Sequence, residues 1–197
     1  MKNLLFYLFL LGATGGNTQV PNSNSPSDHP NSVNTMFVNE LDGKPISYYL
    51  ENPDIDGCSK LFYQGKFAAS DDLQTYAFLD SVLTNNAATR PFYVYVFNSV
   101  MSVADGALAE HIAENCWKYF EKFPCEFFSL KQDQHFVKNY KYWFDNASLR
   151  YYYDEESLAA SQERLDKLSA IVSSQCSTCA EEFDRMKKRV IHYWEEN

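Results

Sequence analysis

Residues 89–104 read Thr-Arg-Pro-Phe-Tyr-Val-Tyr-Val-Phe-Asn-Ser-Val-Met-Ser-Val-Ala, and no other stretch is harder to assign to helix or strand. Phe92 to Phe97 are all β-branched or aromatic, which fits a buried strand. The apolar run continues through Val100, Met101, Val103 and Ala104, and that is long for a strand. It is preceded by Thr89-Arg90-Pro91, a cap residue followed by proline in a first helical turn. The spacing therefore predicts a helix buried on every side, with a strand over 92–97 as the alternative.

The flanking segments carry the helical period. Asp71 or Asp72 caps a helix bearing Leu73, Tyr76, Ala77 and Leu83, which ends near Asn85-Asn86. After an Asp105-Gly106 turn, Leu108, Ile112, Cys116, Tyr119, Phe120 and Phe123 share one helical face up to Pro124. Phe136, Tyr140, Trp143 and Phe144 mark another helix. Leu158, Gln162, Leu165, Leu168 and Val172 mark the next, and Phe183, Met186, Val190, Tyr193 and Trp194 the last, which is expected to carry Cys176 and Cys179 too. Helix starts near 72, 90, 106, 132, 156 and 176 predict an all-α fold of about six antiparallel helices. A helical array or a bundle both fit, as do solenoid-like stacked hairpins, although no repeated motif is present. Glycine placement agrees: all seven glycines lie at or before Gly106, and Pro124 is the last proline. That excludes a glycine-rich phosphate loop and a series of tight hairpins from the C-terminal half.

The N-terminal part is different. Met1-Lys2-Asn3 is a short positive region, Leu4 to Leu11 an apolar run, and Ala13-Thr14-Gly15 supplies small residues at a cleavage spacing. Residues 1–16 are read as a signal peptide, too short in its apolar run to span a bilayer, and the protein as exported to a periplasmic or extracellular space. Residues 17–35, rich in Asn, Ser and Pro, are expected to be a disordered, flexible tether. A single mainly helical domain then fills 36–197, with 36–70 an irregular lead-in or a short hairpin about Asp42-Gly43-Lys44-Pro45. No membrane span is expected in the mature chain.

The chain carries 17 basic and 26 acidic side chains, a net charge of −9. Its one basic cluster, Arg185, Lys187, Lys188 and Arg189, is interleaved with Glu181, Glu182 and Asp184. That pattern makes a salt-bridged helix face and excludes a phosphate-binding surface, so nucleic acid is not an expected partner.

Three constellations could carry chemistry. Five cysteines in an exported chain imply disulfides with one thiol left over. Cys116 with Cys125 and Cys176 with Cys179 are the local pairings, leaving Cys58. Cys176-Ser177-Thr178-Cys179, with Ser173-Ser174-Gln175 as a helix start, could place an acidified thiol at a helix N-terminus beside a resolving one. The βαβ setting of thioredoxin-like enzymes is not apparent around it. A metal is not expected there, because two cysteines need two more ligands and His192 lies roughly 20 Å along a helix.

Asp105, Glu110, His111 and Glu114 form a second group, with carboxylates that could serve as acid and base in glycan hydrolysis. They match neither a Glu-x-x-His nor a His-Glu-x-x-His unit, and a solvated helix face is the plain alternative. Third, 14 aromatics crowd the 37 residues from Trp117 to Tyr153. Most must be core, but Tyr151, Tyr152 and Tyr153 cannot all face inward on one helix, so a tyrosine surface is expected there. Asn146-Ala147-Ser148 is a glycosylation sequon, while His29 in the tether and His135 have no evident partners. These features point to an exported helical binding or scaffolding protein for a protein or small extracellular ligand, needing no cofactor. A thiol-redox protein using Cys176 and Cys179 is the alternative, and an extracellular glycan hydrolase a weaker one.

Overall fold

A computed structural model describes residues 37–176 and 178–196. The leader read at 1–16, the tether read at 17–35 with His29, and Ser177 lie outside the described residues.

The lead-in is more regular than composition alone indicates. Asp42 and Gly43 both take positive φ, 51° and 69°, the turn type whose twist suits a two-residue hairpin. It joins β1 (Glu40–Leu41) antiparallel to β2 (Lys44–Pro45). The chain then enters α1 (Ile46–Leu50) and α2 (Gly57–Tyr63). The Asp56 side chain accepts from the Ser59 backbone N–H at 2.8 Å and so caps α2. Tyr49 and Tyr63 fasten these pieces to the domain, with Tyr49 donating to the Leu41 carbonyl and Tyr63 to that of Val38.

The main body follows the all-α reading. Asp72 caps α3 (Leu73–Asp80) by accepting from the Thr75 N–H at 2.7 Å, and a single 3-10 turn, Ser81–Leu83, closes it. α4 (Arg90–Met101) is the contested stretch, and it is helical. Phe92 to Asn98, Val100 and Arg90 are all buried, which explains the missing amphipathic period: a helix with neighbours on every side has no polar face. Pro91 sits in its first turn, where no backbone donor is lost.

α5 (Gly106–Lys122) buries Leu108, Ile112, Cys116, Tyr119 and Phe120 on the expected stripe. Pro124 opens the short α6 (Pro124–Ser129), and α7 (Tyr140–Tyr153), α8 (Leu158–Gln175) and α9 (Ala180–Glu196) complete the chain. The helix expected from about 132 begins only at Tyr140, after turns over 130–139. One such turn is held by the Asp133 side chain accepting from the His135 N–H at 2.8 Å, a local bond that competes with helix. The last helix starts at Ala180, not near 176. Ser173-Ser174-Gln175 end α8, with Cys176 as its C-cap, so they are not a helix start. Nine α-helices among the described residues replace the expected six, the extra ones being the short α1, α2 and α6.

α7 is the hub of the C-terminal half, packing against both α5 and α9, while α8 packs on α9. Its buried Trp143 meets Phe97 of α4 at 4.8 Å between ring centroids and Tyr119 of α5 at 5.5 Å. The Trp143 indole N–H donates to the buried Asn98 Oδ1 at 3.0 Å. Asn98 Nδ2 in turn donates to the His135 carbonyl, which gives the 130–139 connection its anchor on α4.

Candidate functional site

The cysteines sort differently from the local pairings. Cys176 and Cys179 form a disulfide with Cα atoms 5.4 Å apart, across the α8–α9 connection. Cys116 and Cys125 do not pair; both are free thiols, as is Cys58. Cys116 belongs to the inward stripe of α5 and is fully buried, which pushes its thiol well above the usual range. Cys125 lies beyond the Pro124 break on α6 and meets the other pair: the sulfurs of Cys125, Cys176 and Cys179 are all within 4.8 Å of one another. This third sulfur brings soft-ligand chemistry that the sequence did not place beside the pair. With two of the three sulfurs joined to each other, the group as it stands offers a metal only one thiol. Partial burial, and then the neighbouring Glu126 carboxylate, hold the Cys125 thiol above its ordinary value.

Cys179 immediately precedes α9, and its carbonyl accepts from the Phe183 N–H at 2.9 Å. The expected position of a thiol at a helix N-terminus therefore belongs to Cys179, whereas Cys176 closes the helix before it. The two residues are 9% and 5% exposed, which shields the disulfide from direct attack by an outside thiol.

The carboxylate group on α5 does not assemble into an acid–base pair. His111 Nε2 lies 2.7 Å from Asp80 Oδ1 at the end of α3, and Asn115 Nδ2 donates to the same oxygen at 2.9 Å. The imidazole also stacks on Tyr76 at 4.4 Å. Glu114 pairs with Lys118 at 2.6 Å one turn along, and that hydrogen bond holds its carboxyl below the usual range. Asp105 precedes α5 without a side-chain capping bond, and Glu110 is exposed. The real partner of His111, Asp80, is 31 residues distant and had no signal in the sequence.

The tyrosine triplet splits as helical geometry demands. Tyr151 is buried, not part of a surface, and its hydroxyl donates to Glu121 Oε1 at 3.0 Å. Glu121 is clamped by Arg164, whose Nε and Nη2 donate to its two oxygens at 2.8 and 3.0 Å, while Nη1 donates to Glu155 at 2.8 Å. The same guanidinium lies 4.2 Å from the Trp117 ring centroid. This network ties α5, α7 and α8 together and is structural. Tyr152 is half-buried against Trp194 at 4.9 Å. Tyr153 is 60% exposed, and Tyr142, three turns earlier on α7, is 63% exposed. Eleven residues bring a helix back to nearly the same side, about 16 Å along its axis. Asn146 and Leu149 lie between them on that stripe, both half-buried. The sequon's Ser148 is buried, donating to the Phe144 carbonyl at 2.7 Å.

Two open grooves lie on the surface of the described residues. One of about 430 Å³ is lined by Val137, Tyr140 and Phe144 together with Lys131, Lys141 and Arg185. Its cations are already engaged, Lys131 and Arg185 with Glu182, and Lys141 with Asp145. The other, about 260 Å³, contains Glu155 and Glu163 with Arg164 and Lys167. Glu163 is paired with Lys167 at 2.8 Å, and this bond lowers its pKa. A glycosidic general acid needs the opposite shift. No described helix is long and apolar enough to cross a membrane. Comparison with protein-family models, curated proteins and solved structures finds no match.

Proposed function

We propose that this is an exported helical binding protein, and that the outer stripe of α7 is its docking face for a protein partner. The observation that carries the reading is the pair Tyr142 and Tyr153, both more than half exposed and aligned on one side of α7 on either side of Leu149. Tyrosine offers large contact area for little rotamer entropy, and its ring and hydroxyl serve an interface that is part apolar and part wet. Their exposure has no role in the fold, because the core of α7 is supplied by Tyr140, Trp143, Phe144, Ala147, Ser148 and Tyr151 on the opposite side. Export is supported by the leader pattern of residues 1–16 and by a disulfide, a bond that persists in oxidising compartments. Glycan hydrolysis is disfavoured by the pairing of Glu114 with Lys118 and of Glu163 with Lys167, which lowers both carboxyls. A thiol-redox role acting directly on outside substrates is disfavoured by the shielding of Cys176 and Cys179.

The test is a comparison of Y142S/Y153S with L73S, which alters an exposed residue on α3. A partner is cross-linked to the native protein in its own medium, purified, and titrated against each variant. The reading expects at least a tenfold loss of affinity for the double variant, none for L73S, and unchanged melting of both. Affinity within twofold of native for the double variant refutes the docking face. N-terminal sequencing of the protein outside the cell is expected to begin near Gly16; an intact Met1 refutes the leader.

A further inference from the structure

The sulfur cluster at the α6, α8 and α9 junction contains a free thiol in reach of a disulfide. We propose that Cys125 exchanges with the Cys176–Cys179 disulfide, so that the protein holds two disulfide isomers in equilibrium, 176–179 and 125–176. The step needs nothing from outside. The Cys125 thiol loses its proton, and its sulfur attacks Cys176 Sγ. The Cys125–Cys176 bond forms as the Cys176–Cys179 bond breaks. The electron pair departs on Cys179 Sγ, which takes up a proton. One thiol and one disulfide stand on each side, so the exchange is redox-neutral.

Three observations support this direction of attack. The three sulfurs lie within 4.8 Å of one another, so the new bond requires a local approach and no rearrangement of distant elements. Cys125 is the most exposed of the three and the only one with its thiol unspent. Cys179 stands at the start of the 17-residue α9, where the helix dipole stabilises a departing thiolate, whereas Cys176 stands at the end of α8, where it does not.

The isomers differ in what they constrain. The 176–179 bond closes a tight local loop and restrains little beyond the α8–α9 connection. The 125–176 bond ties α6 to the end of α8 across the whole of α7 and α8. It also moves one disulfide sulfur from a buried residue to the half-buried Cys125, where an outside thiol gains access.

The test maps disulfides in the full chain. Protein is incubated without reductant at mildly alkaline pH, since the Cys125 thiol is held in its protonated form near neutrality. It is then acid-quenched, unfolded and alkylated, and digested without reduction. The expected result is a 125–176 linked peptide together with alkylated Cys179, both missing in C125S. A second variant, C179S, has no 176–179 bond to compete. With oxidised glutathione it is expected to convert to the 125–176 bond, while keeping the helical circular dichroism of the native protein. Detection of 176–179 alone in the native chain, or glutathionylated Cys125 that never closes onto Cys176 in a folded C179S, overturns the proposal.

Discussion

Arg90 opens α4 with a guanidinium whose side chain is only 9% exposed. Its Nε and Nη2 donate to the two oxygens of Glu126 at 2.8 and 2.6 Å, and Nη1 to the Thr84 carbonyl at 2.8 Å. The guanidinium lies 4.0 Å from the Phe123 ring centroid. Glu126 also accepts from the buried Tyr119 hydroxyl at 3.1 Å, yet its own side chain is 46% exposed. The two halves of this ion pair therefore differ in what each leaves behind. In E126A a buried cation keeps the Phe123 ring and only the Thr84 carbonyl as acceptor, and the Tyr119 hydroxyl loses its bond to Glu126. Breaking a fully buried pair in this way costs about 3–5 kcal/mol, and water entering beside the half-exposed site brings that to about 2 kcal/mol. For a domain of about 160 residues this corresponds to a fall in Tm of about 6 °C. In R90M the remaining carboxylate returns to water, the Met stem keeps its packing on Phe123, and a positive charge leaves the N-terminus of α4. The expected cost is below about 1 kcal/mol. Urea and thermal unfolding followed by circular dichroism give both numbers. If R90M is destabilised more than E126A, the asymmetry of burial is not what governs this pair.

Asn98→Leu is expected to lower stability by about 2–3 kcal/mol, because it strands the Trp143 indole N–H and removes the bond to the His135 carbonyl. A loss under about 0.5 kcal/mol in urea unfolding, within the range of an ordinary surface change, contradicts that accounting. Alkylation of the folded protein should modify Cys58 and Cys125 but reach Cys116 only on unfolding, read as a mass count per chain; rapid labelling of Cys116 in the folded protein would contradict its burial. The Asp72 carboxyl is held below its usual value, first by the Ser70 hydroxyl and then by the Thr75 N–H. A depressed folded pKa gives stability that is present above the unfolded pKa and lost as pH falls through the folded one. Tm should therefore decline below about pH 4, and less steeply in D72N, whose amide still caps without titrating. Identical acid profiles for the two proteins would remove Asp72 from the explanation.

The helical architecture was legible because its signals are local. Asp72 and Thr89-Arg90-Pro91 mark helix starts within a few residues of where they occur. The inward stripe of α5 follows from three- and four-residue spacing alone. The Asp133 turn was not legible, because one short-range side-chain bond diverts an aromatic stretch that otherwise reads as helix. Tyrosine spacing implied that at least one of Tyr151 to Tyr153 must face outward, but which one depends on where α5 and α8 lie. Glu121 and Arg164 claim Tyr151 from those two helices.

Local sequence signals yielded the long helices and their apolar faces, and favoured helix over strand for the buried α4 without deciding between them. These follow from backbone capping and from periodicity, which relate residues no more than a turn or two apart. The long-range pairs came from the packing of the helices. Asp80 with His111, Glu126 with Arg90, Glu121 with Arg164, and Cys125 with Cys176 and Cys179 are separated by 31 to 54 residues. At such distances chain order carries no information about direction, because the packing of whole helices sets which side chains meet.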